Sequence, residues 1–237
     1  MILGSSSTPP GLRIYAIGDV HGCNGLLGTV HAKIVEDLHA KPAGDYRIVH
    51  VGDYVDRGPD SAGVVDRLMK LSRDNPKIVC LKGNHEAMML EFLDDPRARG
   101  FLSNGGLETT RSYGVRLPFP SSLDPAAVRA EFARLIPREH LDFLQGLKLS
   151  VRFADYFLCH AGVRPQVALN RQSEEDLLWI RYDFLDDKRE HEAVVVHGHT
   201  PKEEPEVKPN RINIDTGAFA TGRLTCLVLE GKSYRFL

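Results

Sequence analysis

The stretch Arg13-Ile14-Tyr15-Ala16-Ile17-Gly18-Asp19-Val20-His21-Gly22 decides the fold. An apolar run breaks there into a glycine-bounded loop that carries a carboxylate and an imidazole. Residues 13–17 read as a strand, and 26–38 read as the helix behind the loop. The pattern returns twice. Residues 46–51 form a second strand ending in Gly52-Asp53-Tyr54-Val55-Asp56-Arg57-Gly58, and a helix follows over 60–72 with Asp60 or Ser61 as its N-cap. Residues 77–81 form a third strand ending in Gly83-Asn84-His85-Glu86, with a helix running on to about Leu93. Strand and helix alternating every ~30 residues predict βαβ units and a largely parallel sheet, an α/β fold.

Beyond this core, residues 95–145 read as a small helical insertion. Asn104-Gly105-Gly106 is a turn, and residues 117–120, with two prolines, do not fit a helix interior. Asp124-Pro125 opens a helix whose apolar face is Ala127, Val128, Phe132, Leu135 and Ile136. Pro137 opens a second, through Leu144. The last third turns to strands. Residues 147–153 and 156–159 predict a hairpin about Ala154-Asp155. Residues 193–196 form a buried strand ending in His197-Gly198-His199-Thr200. Further strands over 211–214 and 224–229 are separated by Asp215-Thr216-Gly217. The mixed charge runs 186–192 and 202–208 read as solvated loops. Residues 1–11, rich in Ser, Pro and Gly, read as a flexible tail before a single domain over 12–237.

Composition sets the outer limits. Of 237 residues, 42% are hydrophobic and 26% charged, ordinary for a globular chain with one solid core. Lys+Arg 30 against Asp+Glu 32 leaves a net charge of −2, which excludes a broadly basic nucleic-acid binder and a polyacidic tail but not a local basic pocket. No apolar run reaches the ~18 residues of a membrane span. Cys23, Cys80, Cys159 and Cys226 are widely spaced with no CxxC pair, and the start lacks the charged-then-apolar pattern of a signal peptide. The expectation is a cytoplasmic protein with reduced thiols and no nucleic-acid or membrane partner.

The chemistry is carried by where the polar residues fall. Asp19, His21, Asp53, Asn84, His160 and His199 each sit just past an apolar run. In open α/β sheets ligands bind outside the carboxyl ends of the strands, so these groups converge on one edge. Hard oxygens with imidazole nitrogen suit Mn²⁺, Fe or Zn²⁺. Anionic and imidazole ligands crowded together need cations among them, and two metals can share one carboxylate. Each piece alone has an ordinary reading as a turn, a helix cap or a strand-end histidine. Their conjunction at successive strand ends does not.

These residues resemble the phosphoprotein phosphatase branch of the calcineurin-like metallophosphoesterases. The three loops quoted above, with Cys159-His160-Ala161-Gly162, Gly198-His199-Thr200 and Asp215-Thr216-Gly217, match its motifs over about residues 13–229, and the compact bacterial and phage-lambda-type members are most similar. The resemblance implies a four-layer α/β/β/α sandwich and two divalent metals per chain, Mn²⁺ foremost, with Fe or Zn²⁺ as alternatives. It implies Asp19, His21 and Asp53 at the first metal, with Asp53 bridging to a second metal completed by Asn84, His160 and His199. His199 is preferred to His197 because the family's ligand directly follows the small residue. In other branches a second histidine lies two positions on. Here that position is Pro201.

The implied reaction is in-line attack of a metal-bridging hydroxide on a phosphomonoester, with His85 as general acid oriented by Asp56. Arg57 binds phosphate oxygens, alongside Asn84. Arg181, in Leu177-Leu178-Trp179-Ile180-Arg181-Tyr182, is the expected second arginine, with Arg111 and Arg164 as fallbacks. The competing reading of that segment puts Trp179 in the core and Arg181 on the surface. Glu86 is expected to bond local backbone amides, and Asp215 to support a ligand histidine or a turn. The expected substrate is phosphoserine or phosphothreonine in proteins. The alternative is a symmetrical dinucleoside polyphosphate or nucleotide, as in the diadenosine tetraphosphatases. His85-Glu86 followed by Met88-Met89 leans towards the first. A non-catalytic binding module is a third reading. Its usual mark, loss of a ligand or of the acid, is absent.

Overall fold

The computed structural model describes residues 1, 4–95, 97–98, 100–116 and 124–237, so the expectation for 117–120 lies outside the described residues. The alternating half runs β1 (Leu12–Ile17), α1 (Asn24–Ala40), β2 (Asp45–His50), α2 (Ser61–Asp74), β3 (Ile78–Cys80) and α3 (Asn84–Asp94). The insertion holds a kinked turn, Leu102–Gly106, with Gly105 at φ 98°, then α4 (Leu107–Ser112), α5 (Pro125–Leu135) and α6 (Arg138–Gln145). The last part runs β4 (Ser150–Phe153), β5 (Tyr156–Cys159), α7 (Glu174–Trp179), α8 (Tyr182–Leu185), β6 (Val194–His197), β7 (Glu206–Val207), β8 (Arg211–Asn213), α9 (Ala218–Thr221), β9 (Cys226–Glu230) and β10 (Ser233–Phe236).

Two five-stranded sheets form, ordered β10-β9-β1-β2-β3 and β4-β5-β6-β8-β7. The period-2 alternation of the strands builds the layers. In β1, Leu12, Ile14 and Ala16 face the second sheet, where they meet Tyr156, Leu158, Val194, Val196 and Ile212. Tyr15 and Ile17 point the other way, onto Leu27, Val30 and Ile34 of α1 and Val64, Val65 and Leu68 of α2. On the far side of the second sheet, Phe157, Cys159 and Val195 pack against Leu177 of α7 and Phe184 of α8. The result is the expected α/β/β/α order. Both sheets are mixed. β1, β2 and β3 are parallel, as are β5, β6 and β8, whereas β9, β10, β4 and β7 pair antiparallel.

The helix starts follow their caps. Asp60 accepts from Gly63 N at 2.9 Å, and Asp124 accepts from Ala126 N at 3.0 Å with Pro125 in the first turn. The insertion docks through aromatic rings: Phe101 lies 5.2 Å from Phe92 and stacks on Phe132 at 5.9 Å. Two strands differ from the sequence expectation. Glu206–Val207 sits inside a charge run read as loop yet pairs with β8, and β10 closes the other sheet's edge. In the stretch read as a tail, Thr8 is buried, and its N–H donates to Gly231 O at 3.0 Å. The four cysteines are free thiols. Among the described residues no helix is long and apolar enough to cross a membrane.

Candidate metal and phosphate site

The loops after β1, β2, β3, β5 and β6 open on one edge of the sandwich, and the predicted residues meet there. Backbone strain marks the place. Among described non-glycine residues, positive φ is found at His21 (42°), Asp53 (52°), Asp56 (74°), Arg57 (67°) and His199 (67°), and elsewhere only at Ala154 and Gln166. Each costs on the order of 1–2 kcal/mol, so the surrounding structure must over-determine it. Glu86 does much of this. Fully buried at the start of α3, its carboxylate accepts from the backbone N–H groups of Gly83 (2.8 Å), Asp53 (2.9 Å), Tyr54 (2.7 Å) and Val55 (3.3 Å). It therefore fixes the loop after β2 against the loop after β3. Gly83 is required by close approach, because a Cβ there would lie 2.2 Å from Asp53 Oδ1.

Asp53 is the centre. Its Oδ2 lies 3.4 Å from His21 Nε2, and its Oδ1 lies 3.4 Å from His160 Nε2. Asn84 Oδ1 is 2.8 Å from His160 Nε2 and 2.9 Å from His199 Nδ1. His21 and His160 each place Nδ1 on a backbone carbonyl, Val55 O at 2.8 Å and Val51 O at 3.0 Å. A carbonyl only accepts, so each Nδ1 carries the proton and each Nε2 presents a lone pair towards Asp53. Asp19 accepts from His199 N at 2.9 Å through Oδ2, while its buried Oδ1 has no partner. Facing lone pairs and an orphaned buried carboxylate oxygen are what divalent cations compensate, so the residues fit the metals that the sequence implies. Two groups of donor atoms are tight enough to hold an ion: His21, Asp53 and His85, and Asp53, His160 and His199. Asp19 lies outside both groups and borders the cluster through His199.

Electrostatics agree with this reading. Burial raises the carboxyls of Asp19 and Asp53, Asp19 being raised further by Asp215 and Asp53. Burial lowers His160 to about 3 and His199 to about 2, keeping both neutral as ligands must be. Asp215 is pushed up to about 6, mainly by burial, and accepts from Gly217 N at 2.9 Å, which is the turn role. His197 stays out of the cluster, stacked edge-on to Phe184 with its Nδ1 3.0 Å from Gly198 O.

Beside the cluster, His85 Nδ1 is 2.6 Å from Asp56 Oδ2, with both side chains buried. Asp56 is held in turn by the hydroxyl of Thr109, 2.7 Å from its Oδ1, on α4 of the insertion. No sequence pattern marks Thr109, whose partner is 53 positions away. Arg57 forks between His21 Nε2 and His85 Nε2, donating at 3.1 Å to each. Its backbone N–H donates to Gly105 O, so the predicted 104–106 turn abuts the site. Arg181 is exposed at the rim, 3.4 Å from Thr200 Oγ1, and its charge reaches Asp53, His85, His160 and His199. Arg111 pairs with Glu108, and Arg164 with Asp176 and Asp183. Trp179 is not a core residue. It is 43% exposed, with its ring 6.4 Å from that of His199.

Comparison with known proteins places the chain in a family. The chain is similar to bis(5'-nucleosyl)-tetraphosphatase PrpE [asymmetrical] of Anoxybacillus flavithermus, 29% identical over 89% of this chain and 88% of that protein. The protein of the same name from Oceanobacillus iheyensis is 27% identical over 94% and 91%. Among solved structures, a candidate diadenosine tetraphosphatase superposes with a TM-score of 0.63 at 22% identity, covering 98% of both chains. A Saccharomyces cerevisiae protein serine/threonine phosphatase gives 0.56 at 16% identity, covering 92% of this chain and 73% of that one. These two likenesses establish the fold. The family model for calcineurin-like phosphoesterases matches residues 12–218, from the first strand of the sandwich to the helix beside the cluster, and the chain belongs to that family.

Proposed function

We propose that the chain is a metal-dependent hydrolase of dinucleoside tetraphosphates, which it cleaves asymmetrically. Water adds across one P–O–P bridge. The attacked phosphorus leaves as a nucleoside monophosphate, the bridging oxygen departs with a nucleoside triphosphate, and two protons are released when both products are fully ionised. The observation that carries the metal-dependent reading is the Asp53 carboxylate with an imidazole lone pair facing each of its oxygens. Asp19, His21, Asp53, Asn84, His160 and His199 would hold two divalent cations. When bound, such ions supply positive charge for phosphoryl oxygens and lower the pKa of a water.

The chain's own groups do the rest. Arg57 presents two N–H donors beside His21 and His85, where a planar fork can take two phosphate oxygens. Arg181 adds a second positive charge at the rim. His85, its Nδ1 fixed by Asp56, directs Nε2 towards the same space, and in its protonated form, with the Arg57 N–H turned from Nε2 to a phosphate oxygen, it can give a proton to the departing oxygen. The tetraphosphatase names of relatives that match nearly end to end support an anhydride substrate. This reverses the order that the sequence motifs favoured. The Asp56–His85 pair favours the second reading, a phosphoserine or phosphothreonine ester, because an alkoxide leaving group needs a proton more than a triphosphate does.

Steady-state comparison of the two substrate classes in Mn²⁺ tests the choice. Diadenosine tetraphosphate is expected to exceed a phosphoserine peptide in kcat/KM by at least about tenfold, a difference of about 1.4 kcal/mol in transition-state binding. Preference for the peptide would reverse the assignment. In either case Asp53→Asn should lose at least about 100-fold, as removal of a metal-bridging charge demands.

A further inference from the structure

Among described residues the exposed large aromatics are three, Trp179, Tyr182 and Phe219, and Trp179 and Phe219 border the site. Phe219, on α9, is 42% exposed. Its ring lies 5.5 Å from that of His21, and the Arg57 guanidinium sits 5.0 Å over its centroid. Trp179, at the end of α7, stands edge-on to His199 and lines a cavity of about 280 Å³ with Glu175, Arg181 and Tyr182. His21 meets Asp53 at Oδ2, and the His160–His199 side meets it at Oδ1. Phe219 therefore stands on the Oδ2 side of Asp53 and Trp179 on the Oδ1 side, each beside an arginine.

We propose that Trp179 and Phe219 are the two nucleobase platforms of the site, one for each end of a dinucleoside polyphosphate. Such a ligand has an anionic middle and a flat π-face at either end. The cluster and the arginines match the middle, and the two rings match the ends. An aromatic left exposed beside a charged site has an unsatisfied face, and stacking a base on one is sequence-tolerant and strong. Around the Trp179 cavity Asp176 and Asp183 are paired with Arg164, and the Glu175 carboxylate beside the ring suits the amino edge of a purine. The inference rests on the dinucleoside reading above, and its test separates the two.

Trp179 is the chain's single tryptophan, so its fluorescence reports the platform directly. The methylene-bridged analogue of diadenosine tetraphosphate, added to the Mn²⁺-loaded protein, is expected to quench that emission saturably. Inorganic tripolyphosphate, which lacks bases, is expected to bind without quenching. Trp179→Ala and Phe219→Ala should each raise KM for diadenosine tetraphosphate about 5- to 100-fold, with kcat within about threefold of wild type. The inhibition constant of tripolyphosphate should stay unchanged in Trp179→Ala, whose ring does not touch Arg57, and Phe219→Tyr should keep the wild-type KM. If wild type hydrolyses diadenosine tetraphosphate but neither variant changes KM, or if tripolyphosphate quenches equally, the platforms are overturned and the activity stands. If wild type dephosphorylates peptides and leaves diadenosine tetraphosphate intact, the activity reading is overturned, and the platforms with it.

Discussion

His85 occupies the most informative position in the site. Burial lowers its pKa, Asp53 opposes that, and Asp56 holds its Nδ1 at 2.6 Å. Its weight in the reaction depends on the leaving group. A triphosphate leaves as a weak base, whereas a serine alkoxide needs its proton. His85→Ala is therefore expected to cost about 10²–10⁴-fold in kcat on an alkyl phosphate ester but no more than about tenfold on diadenosine tetraphosphate. Equal losses on both, read from kcat on the two substrates, would show that His85 does something other than protonate the leaving oxygen. At this scale the sequence was a good guide, because chemistry-bearing side chains directly follow strands and strand ends are easy to find. It could not reach Thr109, whose only mark is a hydroxyl aimed at Asp56 from a helix of the insertion. Nor could it reach the exposure of Trp179. Tryptophan among leucines looks like core, and only the tertiary placement of α7 turns its ring to the rim.

At the level of elements, the sheet that carries Asp19 and Asp53 is fastened by a buried charge network. Arg13 on β1, 3% exposed, donates to Glu230 on β9 and to Asp37 on α1, and Asp37 also accepts from Tyr15 and from Arg235 on β10. Burial alone would raise the Asp37 carboxyl, but the bonds from Tyr15, Arg235 and Arg13 outweigh it and hold it below the usual carboxylate range. Removing it leaves the buried Arg13 with Glu230 as its carboxylate partner and takes the acceptor from Tyr15 and Arg235. Asp37→Ala is expected to lower stability by about 3 kcal/mol, or roughly 6–12 °C in Tm by calorimetry, with wild-type activity below the transition. A loss under about 1 kcal/mol would mean that Glu230 compensates Arg13 unaided. The elements hidden in the sequence are those with least pattern. β7 is two residues inside a charge run, too short for alternation to register, and it exists because β8 offers it an edge.

The whole molecule carries a second histidine pair away from the site. His31 on α1 and His50 on β2 meet Nε2 to Nε2 at 3.0 Å. Burial, then Arg67, lowers His31 to about 4, and burial, then His31, lowers His50 well below the usual value. With folded pKa values below the unfolded ~6.5, protonation favours the unfolded chain. Stability is thus complete above about pH 6.5 and falls as pH drops towards 4. Tm of the Mn²⁺-loaded protein should decline between pH 7 and 5, and His31→Ala should decline less, by on the order of 1 kcal/mol. Identical pH profiles would exclude the pair as the source.

The sandwich, its layers and the edge where the site opens were legible from strand and helix alternation, while the substrate was not. The motifs mark His and Asp groups that could hold divalent metal, and such groups suit esters and anhydrides alike. The proposed discrimination rests on exposed rim side chains, which follow no period. The central claim, metal-dependent asymmetric cleavage of a dinucleoside tetraphosphate, is met most directly by the products. Wild-type protein incubated with diadenosine tetraphosphate in Mn²⁺, with the nucleotides resolved by anion-exchange chromatography, should yield ATP and AMP in equal amounts and nothing when chelator replaces the metal. Two ADP per substrate, or cleavage that persists in chelator, would contradict it.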